Sequence, residues 1–409
     1  MDIESTPLQR VRVFDAFRHH DFRLLWSGQF VSLIGDAAFF TALGWRAFTL
    51  VGSSRLGIVF LFQAIGLLAT LLIGGALADR IPRRTMMIAS DLSRCAVVAT
   101  LAVVDASGHL TFTLLVVLTF LNGLGDGFFF PAVGGIVPLV VEQRALPSAN
   151  SLIGVARWGA FIVGPALAAG LYSATGSSVV FALDAASFVV SAALLWQLRP
   201  RAVEPEPGEG TFREIASGVR YVAKIPWLWV TITLFAVILM LQLAPQQVLM
   251  PALVHEHFDR GVGAYGFLVT MFGVGTVIGT LGFGQLQPRK RRGVVNYTFW
   301  LVNSLAIAAL ALSPWFQLAA LFALVRGLCV GFGVAMWETM LQELVPDHLL
   351  SRVVSLDFFG SFGLMPVGLA FAAAIATLAS PGTIIAAGAL ISAGMIAVTM
   401  TRPWLRAVE

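Results

Sequence analysis

The sequence predicts an all-α polytopic membrane protein, with twelve transmembrane helices in two six-helix bundles that repeat one design. Three observations carry this. The 409 residues are 58% hydrophobic and only 12% charged, about half the charged share of a soluble globular protein, and the mean hydropathy is +0.86. Twelve apolar stretches reach the roughly 20 residues that cross a bilayer as a helix. Lys and Arg, 26 in all, are distributed unequally between alternate connections, as orientation in a membrane demands.

Residues 1–22 are polar and lack a cleavage pattern of small residues, which predicts a cytosolic N-terminal segment and not a signal peptide. The N-terminal bundle, 23–198, holds spans at 23–47, 56–78, 85–105, 110–137, 149–173 and 177–198. Residues 199–226 are the one long polar connection. There Phe212, Ile215, Val219 and Val222 recur at spacings of three and four, which predicts an amphipathic helix against the membrane surface or the bundle. The C-terminal bundle, 227–402, holds spans at 227–252, 264–286, 293–313, 315–341, 354–378 and 382–401, and residues 403–409 form a cytosolic tail.

With this map only Arg55 and Arg260 fall on the outer side, against Arg83, Arg84, Arg144, Arg199, Arg289, Lys290, Arg352, Arg402 and others on the inner side. Both termini are therefore expected in the cytosol, in a multi-pass inner (plasma) membrane protein. The net charge of +4 follows from these clusters, so nucleic acid is not an expected partner. Cys95 and Cys329 lie in apolar segments and offer neither a disulfide framework nor a metal cluster.

The two bundles also resemble each other in sequence. Asn122, Gly123, Leu124, Gly127 and Phe128 in the fourth span match Arg326, Gly327, Leu328, Gly331 and Phe332 in the tenth. Pro82, Arg83 and Arg84 answer Pro288, Arg289 and Lys290, and Pro165 answers Pro366. Parallel six-span repeats are the layout of transporters that alternate access by rocking one half against the other.

The connection after the second span runs Gly75, Ala76, Leu77, Ala78, Asp79, Arg80, Ile81, Pro82, Arg83, Arg84. It resembles the Gly-x-x-x-Asp-Arg-x-Gly-Arg-Arg signature of the major facilitator superfamily, with Pro82 where that family has Gly. Leu139 to Gly170 is similar to the loop and fifth span of exporters in this superfamily. Gly164 and Pro165 match the helix-bending motif, while Ala160, Ala168 and Ala169 stand where the antiporter motif has Gly, and Thr119 replaces the antiporters' membrane Arg. Further phrases, HHDFRLLWSGQFVSLIGD, FALDAASFVVSA, EIASGVRYV and LQELVPDHLLSRVVS, resemble the branch containing enterobactin exporters and macrolide efflux proteins. The resemblance implies secondary transport, with proton-driven export of an amphipathic small molecule and no cofactor, by a monomer.

Ionisable residues at membrane depth mark pathways or pairs. Asp36 and Asp126 are the candidates for proton coupling, because a carboxylate kept from water favours its protonated form. For Asp126 a fixed pair, with Arg157 at comparable depth, is an equal reading; Asp36 has no local partner. Arg326, Asn122, Phe40 and Gln63 are candidates for the substrate cavity, Arg326 either for an anionic or polar substrate group or as a cation that changes partner. Gly75, Asp79, Arg80, Arg83, Arg84, Asp91, Arg94, Glu142 and Asp357 form the expected cytosolic gate, with Asp91 and Arg94 three residues apart on one helix. Interfacial solvation is the other reading of Asp91, Asp357 and Glu338, and Asp184 is read as structural. Gly275, Gly279 and Gly282 form a face for close helix packing.

A membrane enzyme is the rival class. All six histidines lie in tails or loops, and no nucleophile, zinc or phosphate-binding motif accompanies them. His255, Glu256 and His257 are adjacent in sequence and lack the one-face spacing of a zinc site. Within transport, uptake or lysolipid movement by the same fold is the alternative to export.

Overall fold

The computed structural model describes residues 14–78, 81–201, 211–286, 288–406 and 408. Eleven helices there are long and apolar enough to cross a membrane. The first, His20–Ala78, has 59 residues and would measure close to 90 Å if straight, about three bilayer cores. It is not straight: Gly52 has φ 75° and ψ 173°, a conformation that glycine alone adopts readily. The chain turns back there, and Phe60 packs beside Gly44. The helix is therefore long enough for two crossings, which makes twelve among the described residues.

The remaining spans follow the expected order. They are Arg83–Ala106, Phe112–Val140, Leu146–Thr175 and Ser177–Gln197 in the first bundle. In the second they are Pro226–His257, Val262–Leu286, Arg292–Ala311, Phe316–Leu344, Arg352–Ile375 and Pro381–Met400. The expected loop over 48–55 shrinks to the break at Gly52, because no polar residue is needed where one positive φ reverses the chain. The seventh span contains two π-helical turns, Leu239–Leu243 and Leu253–His257. The amphipathic helix of the connection, Thr211–Lys224, sets Gly218 against Arg352 and Leu356 of the eleventh span; the side chains of Phe212 and Ile215 lie outside the described residues.

The internal repeat is visible as two equivalent helix crossings. In the first bundle Gly66 packs on the backbone at Phe120 and Leu124, Gly123 on that at Gln63 and Leu67, and Gly127 on that at Leu67. In the second, Gly275 packs on the backbone at Leu324 and Leu328, Gly327 on that at Phe272 and Thr276, and Gly331 on that at Thr276. Small residues four apart let backbones touch, which lipid-embedded helices need because burial away from water does not draw them together. A Cβ at position 327 would lie 2.0 Å from the Phe272 carbonyl oxygen. Gly327→Ala should therefore lower the thermal transition in detergent, at a cost of about 1–3 kcal/mol. Gly282→Ala, where no atom lies within 4 Å, should leave that transition unchanged or raise it slightly.

The largest hydrophobic core joins both bundles. It contains Phe48, Leu56, Leu101, Leu110 and Phe181 from the first and Val254, Leu268, Leu310, Ala319 and Ile385 from the second. All of these lie toward the face remote from the chain termini. The other cores belong to one bundle each: Phe22, Met87, Ile136 and Leu195 in the first, and Leu234, Tyr297, Leu341, Val353, Met336 and Val408 in the second. The bundles are thus closed against each other at the remote face and part toward the face that carries both termini. Aromatic rings reinforce the closure, with Trp45 6.1 Å from both His255 and Tyr265, and Phe48 5.7 Å from His255. Gly164 lets the fifth span lie on the first at Ile34 and Ala37, and the Pro165 carbonyl meets Gly266 of the eighth span.

Candidate functional site

Four spans of the first bundle converge on one guanidinium. Arg94, in the third span, reaches Asp91 one turn away at 2.5 Å, Asp126 of the fourth span at 3.1 Å and Asp36 of the first at 3.7 Å. Gly125 makes room for this side chain, since a Cβ there would strike the Arg94 Cγ. The rings of Phe129 and Phe188 cover the guanidinium at 4.4 and 4.2 Å, an arrangement that favours a desolvated cation. Ser90 donates a hydrogen bond to the Gly125 carbonyl at 2.7 Å and ties the third span to the fourth. Asp184 of the sixth span is buried beside Gly35 and accepts a bond from Ser187 at 3.3 Å.

Three carboxylates therefore share one cation, and their access to water differs. The Asp36 side chain is 28% exposed, against 15% for Asp126, 3% for Arg94 and none for Asp91. Asp36 is the most exposed member of the cluster.

This geometry revises several expectations. Asp36 has a partner, Arg94, supplied by a helix more than fifty positions away in sequence. Asp126 pairs with Arg94 and not with Arg157. Asp91 and Arg94, expected at the gate, sit inside the same cluster as Asp36 and Asp126. The Thr119 hydroxyl, at the antiporters' arginine position, bonds back to its own helix at the Leu115 carbonyl, 2.8 Å away; the bundle's central guanidinium comes from the third span instead.

Of the expected gate, Arg83 donates to the Gly135 carbonyl, and Arg84 donates to the carbonyls of Leu195 and Trp196. Leu195 and Trp196 lie in the last turn of the sixth span, where a basic side chain at the helix-end carbonyls is stabilising. Glu142 is exposed at the turn after the fourth span. Asp357 accepts from the Trp337 indole at 2.9 Å, which links the tenth and eleventh spans. Asp79 and Arg80 lie outside the described residues, and Gly75 is described only as part of its helix.

Among the cavity candidates, Phe40 is 43% exposed. Gln63 and Asn122 are buried at the second–fourth crossing, with Gln63 Nε2 and Asn122 Oδ1 lacking partners. Arg326 stands at the equivalent crossing of the second bundle, 4.4 Å from the Phe272 ring centroid, and its Nε is buried without a partner.

Two polar groups escaped the sequence reading. Arg46 bonds Asp105 at 2.8 Å, and Ser177 donates to the same carboxylate, tying three spans together near the remote face. Gln242, in the first π-helical turn, donates to Ser304 at 2.8 Å and accepts from Asn303 at 3.3 Å. The four-residue spacing of Gln242 and Gln246 in an apolar span was the available signal. Among the described residues no group of His, Cys, Asp and Glu is arranged to hold a metal ion.

Twelve crossings, two repeats related through glycine crossings, one closed face and a buried charge cluster define a membrane transporter of the major facilitator type. The chain belongs to the transmembrane secretion effector family, whose model matches residues 12–408. It is 26% identical over 365 residues to macrolide efflux protein A of Streptococcus pyogenes, covering 87% of this chain and 89% of that protein. It is 23% identical over 378 residues to the enterobactin exporter EntS of Shigella flexneri, covering 89% and 87%. The fold is similar to that of a variant of the nucleoside transporter NupG, with TM-score 0.76, 12% identity and 94% and 100% of the two chains covered. It is also similar to a bacterial homologue of the iron transporter ferroportin in an inward-facing state, with TM-score 0.72, 16% identity and 93% and 99% covered.

Proposed function

We propose that this protein is a proton-coupled exporter that moves an amphipathic small molecule, of the macrolide or siderophore kind, out of the cytosol by alternating access. The observation that carries this reading is the single guanidinium shared by Asp36, Asp91 and Asp126, with Asp36 alone substantially open to water. Excess carboxylate held away from water is stabilised when a proton neutralises it. Proton arrival and departure at Asp36 would change what Arg94 holds, and with it the packing of the first, third and fourth spans.

The excess of Lys and Arg on the side of the termini supports a cytosolic location for both ends in the inner membrane. The parting of the bundles toward that side then makes this conformation the one that loads substrate from the cytosol. The names of the efflux relatives agree with export. A monomer has all the parts this reading requires.

Inside-out membrane vesicles test it. With an imposed pH gradient, the wild-type protein should accumulate one or more compounds from a panel of macrolides, siderophores, lysolipids and dyes. A protonophore should abolish the accumulation. Movement of every compound at a rate independent of the gradient would remove proton coupling from the account.

A further inference from the structure

The second bundle carries an uncompensated charge at the place where the first carries an amide. The glycine crossings fix the equivalence, since Gly123 packs on the backbone at Gln63 and Gly327 on that at Phe272. Asn122 and Arg326 precede these glycines, so they are the same position in two copies of the repeat. At the facing position of the crossing the first copy has Gln63 and the second has Phe272, whose ring centroid lies 4.4 Å from the guanidinium carbon of Arg326.

Among the described residues Arg326 makes no ion pair, and its Nε is buried with no hydrogen-bond partner. The acidic groups of its own bundle are committed elsewhere or distant. Asp357 holds the Trp337 indole, and Glu338 lies twelve positions along the same helix, about 18 Å away. Asp36, Asp91 and Asp126 are held by Arg94. Arg326 shares its helix face with Val330, Val334 and Trp337. Val330 and Val334 pack on the core of their own bundle, and Trp337 reaches the seventh span at Trp227 and the eleventh at Asp357, so this face turns to the bundle interior and not to lipid.

A desolvated cation without a counter-charge is costly and needs an anion from outside the protein. A guanidinium is a planar fork that matches a carboxylate or an aromatic oxyanion with two parallel hydrogen bonds. Phe272, stacked beneath it, suits an apolar or aromatic body attached to that anion.

We propose that Arg326 is the docking point for an acidic group of the substrate, which narrows the two kinds named above to the acid-bearing one, carboxylates or acidic phenols, and excludes purely cationic compounds. This rests on the transport reading above. The substrate's acid pairs with Arg326, and the apolar or aromatic body beside that acid meets the Phe272 ring.

The test uses purified full-length protein in lipid nanodiscs and a matched pair of probes, N-lauroylphenylalanine and its methyl ester. Tetraphenylphosphonium serves as a cationic probe in parallel transport assays. The acid should bind wild type at least about tenfold more tightly than the ester, since a hydrogen-bonded charge is replaced by a neutral group. Arg326→Gln should bring the ratio near one, and Arg326→Lys should keep part of it. The wild-type comparison does not depend on any variant folding, and thermal unfolding checks the variants. Equal affinities in wild type, binding of neither probe, or a preference that survives Arg326→Gln would each overturn the assignment. Retained gradient-driven transport of tetraphenylphosphonium alongside such a result would leave the transport reading standing. Loss of gradient-driven transport of every compound would strike that reading instead.

Discussion

Arg94→Met should destabilise the protein more than any other single substitution in the first bundle. Asp91 is fully buried and Asp126 nearly so, and both would lose their cation. Removing one partner of a buried ion pair costs about 3–5 kcal/mol, because the remaining charge stays desolvated. The thermal transition in detergent should fall sharply, and membrane-inserted yield should fall with it. Adding Asp91→Asn and Asp126→Asn to Arg94→Met should recover much of the loss, since the stranded charges disappear together. An unchanged transition in Arg94→Met would mean that the cluster is already neutral without arginine, and the electrostatic account of the bundle would be wrong.

Asp36→Asn should have a different outcome. Asp36 is the cluster's most distant contact with Arg94, at 3.7 Å, and the most exposed, so its loss costs little stability. Its removal should instead uncouple transport from the gradient. One proton exchanged per substrate supports up to about tenfold accumulation for each unit of pH difference. The variant should reach only equal concentrations on the two sides. Exchange of labelled for unlabelled substrate needs no net proton movement and should persist. Concentrative uptake by Asp36→Asn equal to that of wild type would remove Asp36 from the mechanism.

The fold was legible in the sequence because membrane helices announce themselves locally. Each span is a run of apolar residues, and each glycine that closes a crossing, such as Gly123 or Gly327, sits in a repeat visible at the sequence level. The reversal at Gly52 was harder to read, since one glycine replaces a polar loop and the surrounding residues remain helical. The site was legible in part. The three-residue spacing of Asp91 and Arg94 predicts their contact, because both lie on one helix. The contacts of Arg94 with Asp36 and Asp126 depend on how three helices pack, which no local pattern encodes. The same holds for Arg46 with Asp105 and for Gln242 with Asn303, whose partners lie some sixty positions apart.

Proton movement linked to substrate is the central claim, and proteoliposomes with a trapped pH-sensitive dye measure it directly. Adding a transported substrate to wild-type proteoliposomes at equal pH on both sides should produce an immediate internal pH change, which a protonophore abolishes. Asp36→Asn proteoliposomes of matched protein content should give no such change. Substrate entry into wild-type proteoliposomes without any internal pH change, or an undiminished pH change in Asp36→Asn, would contradict the account.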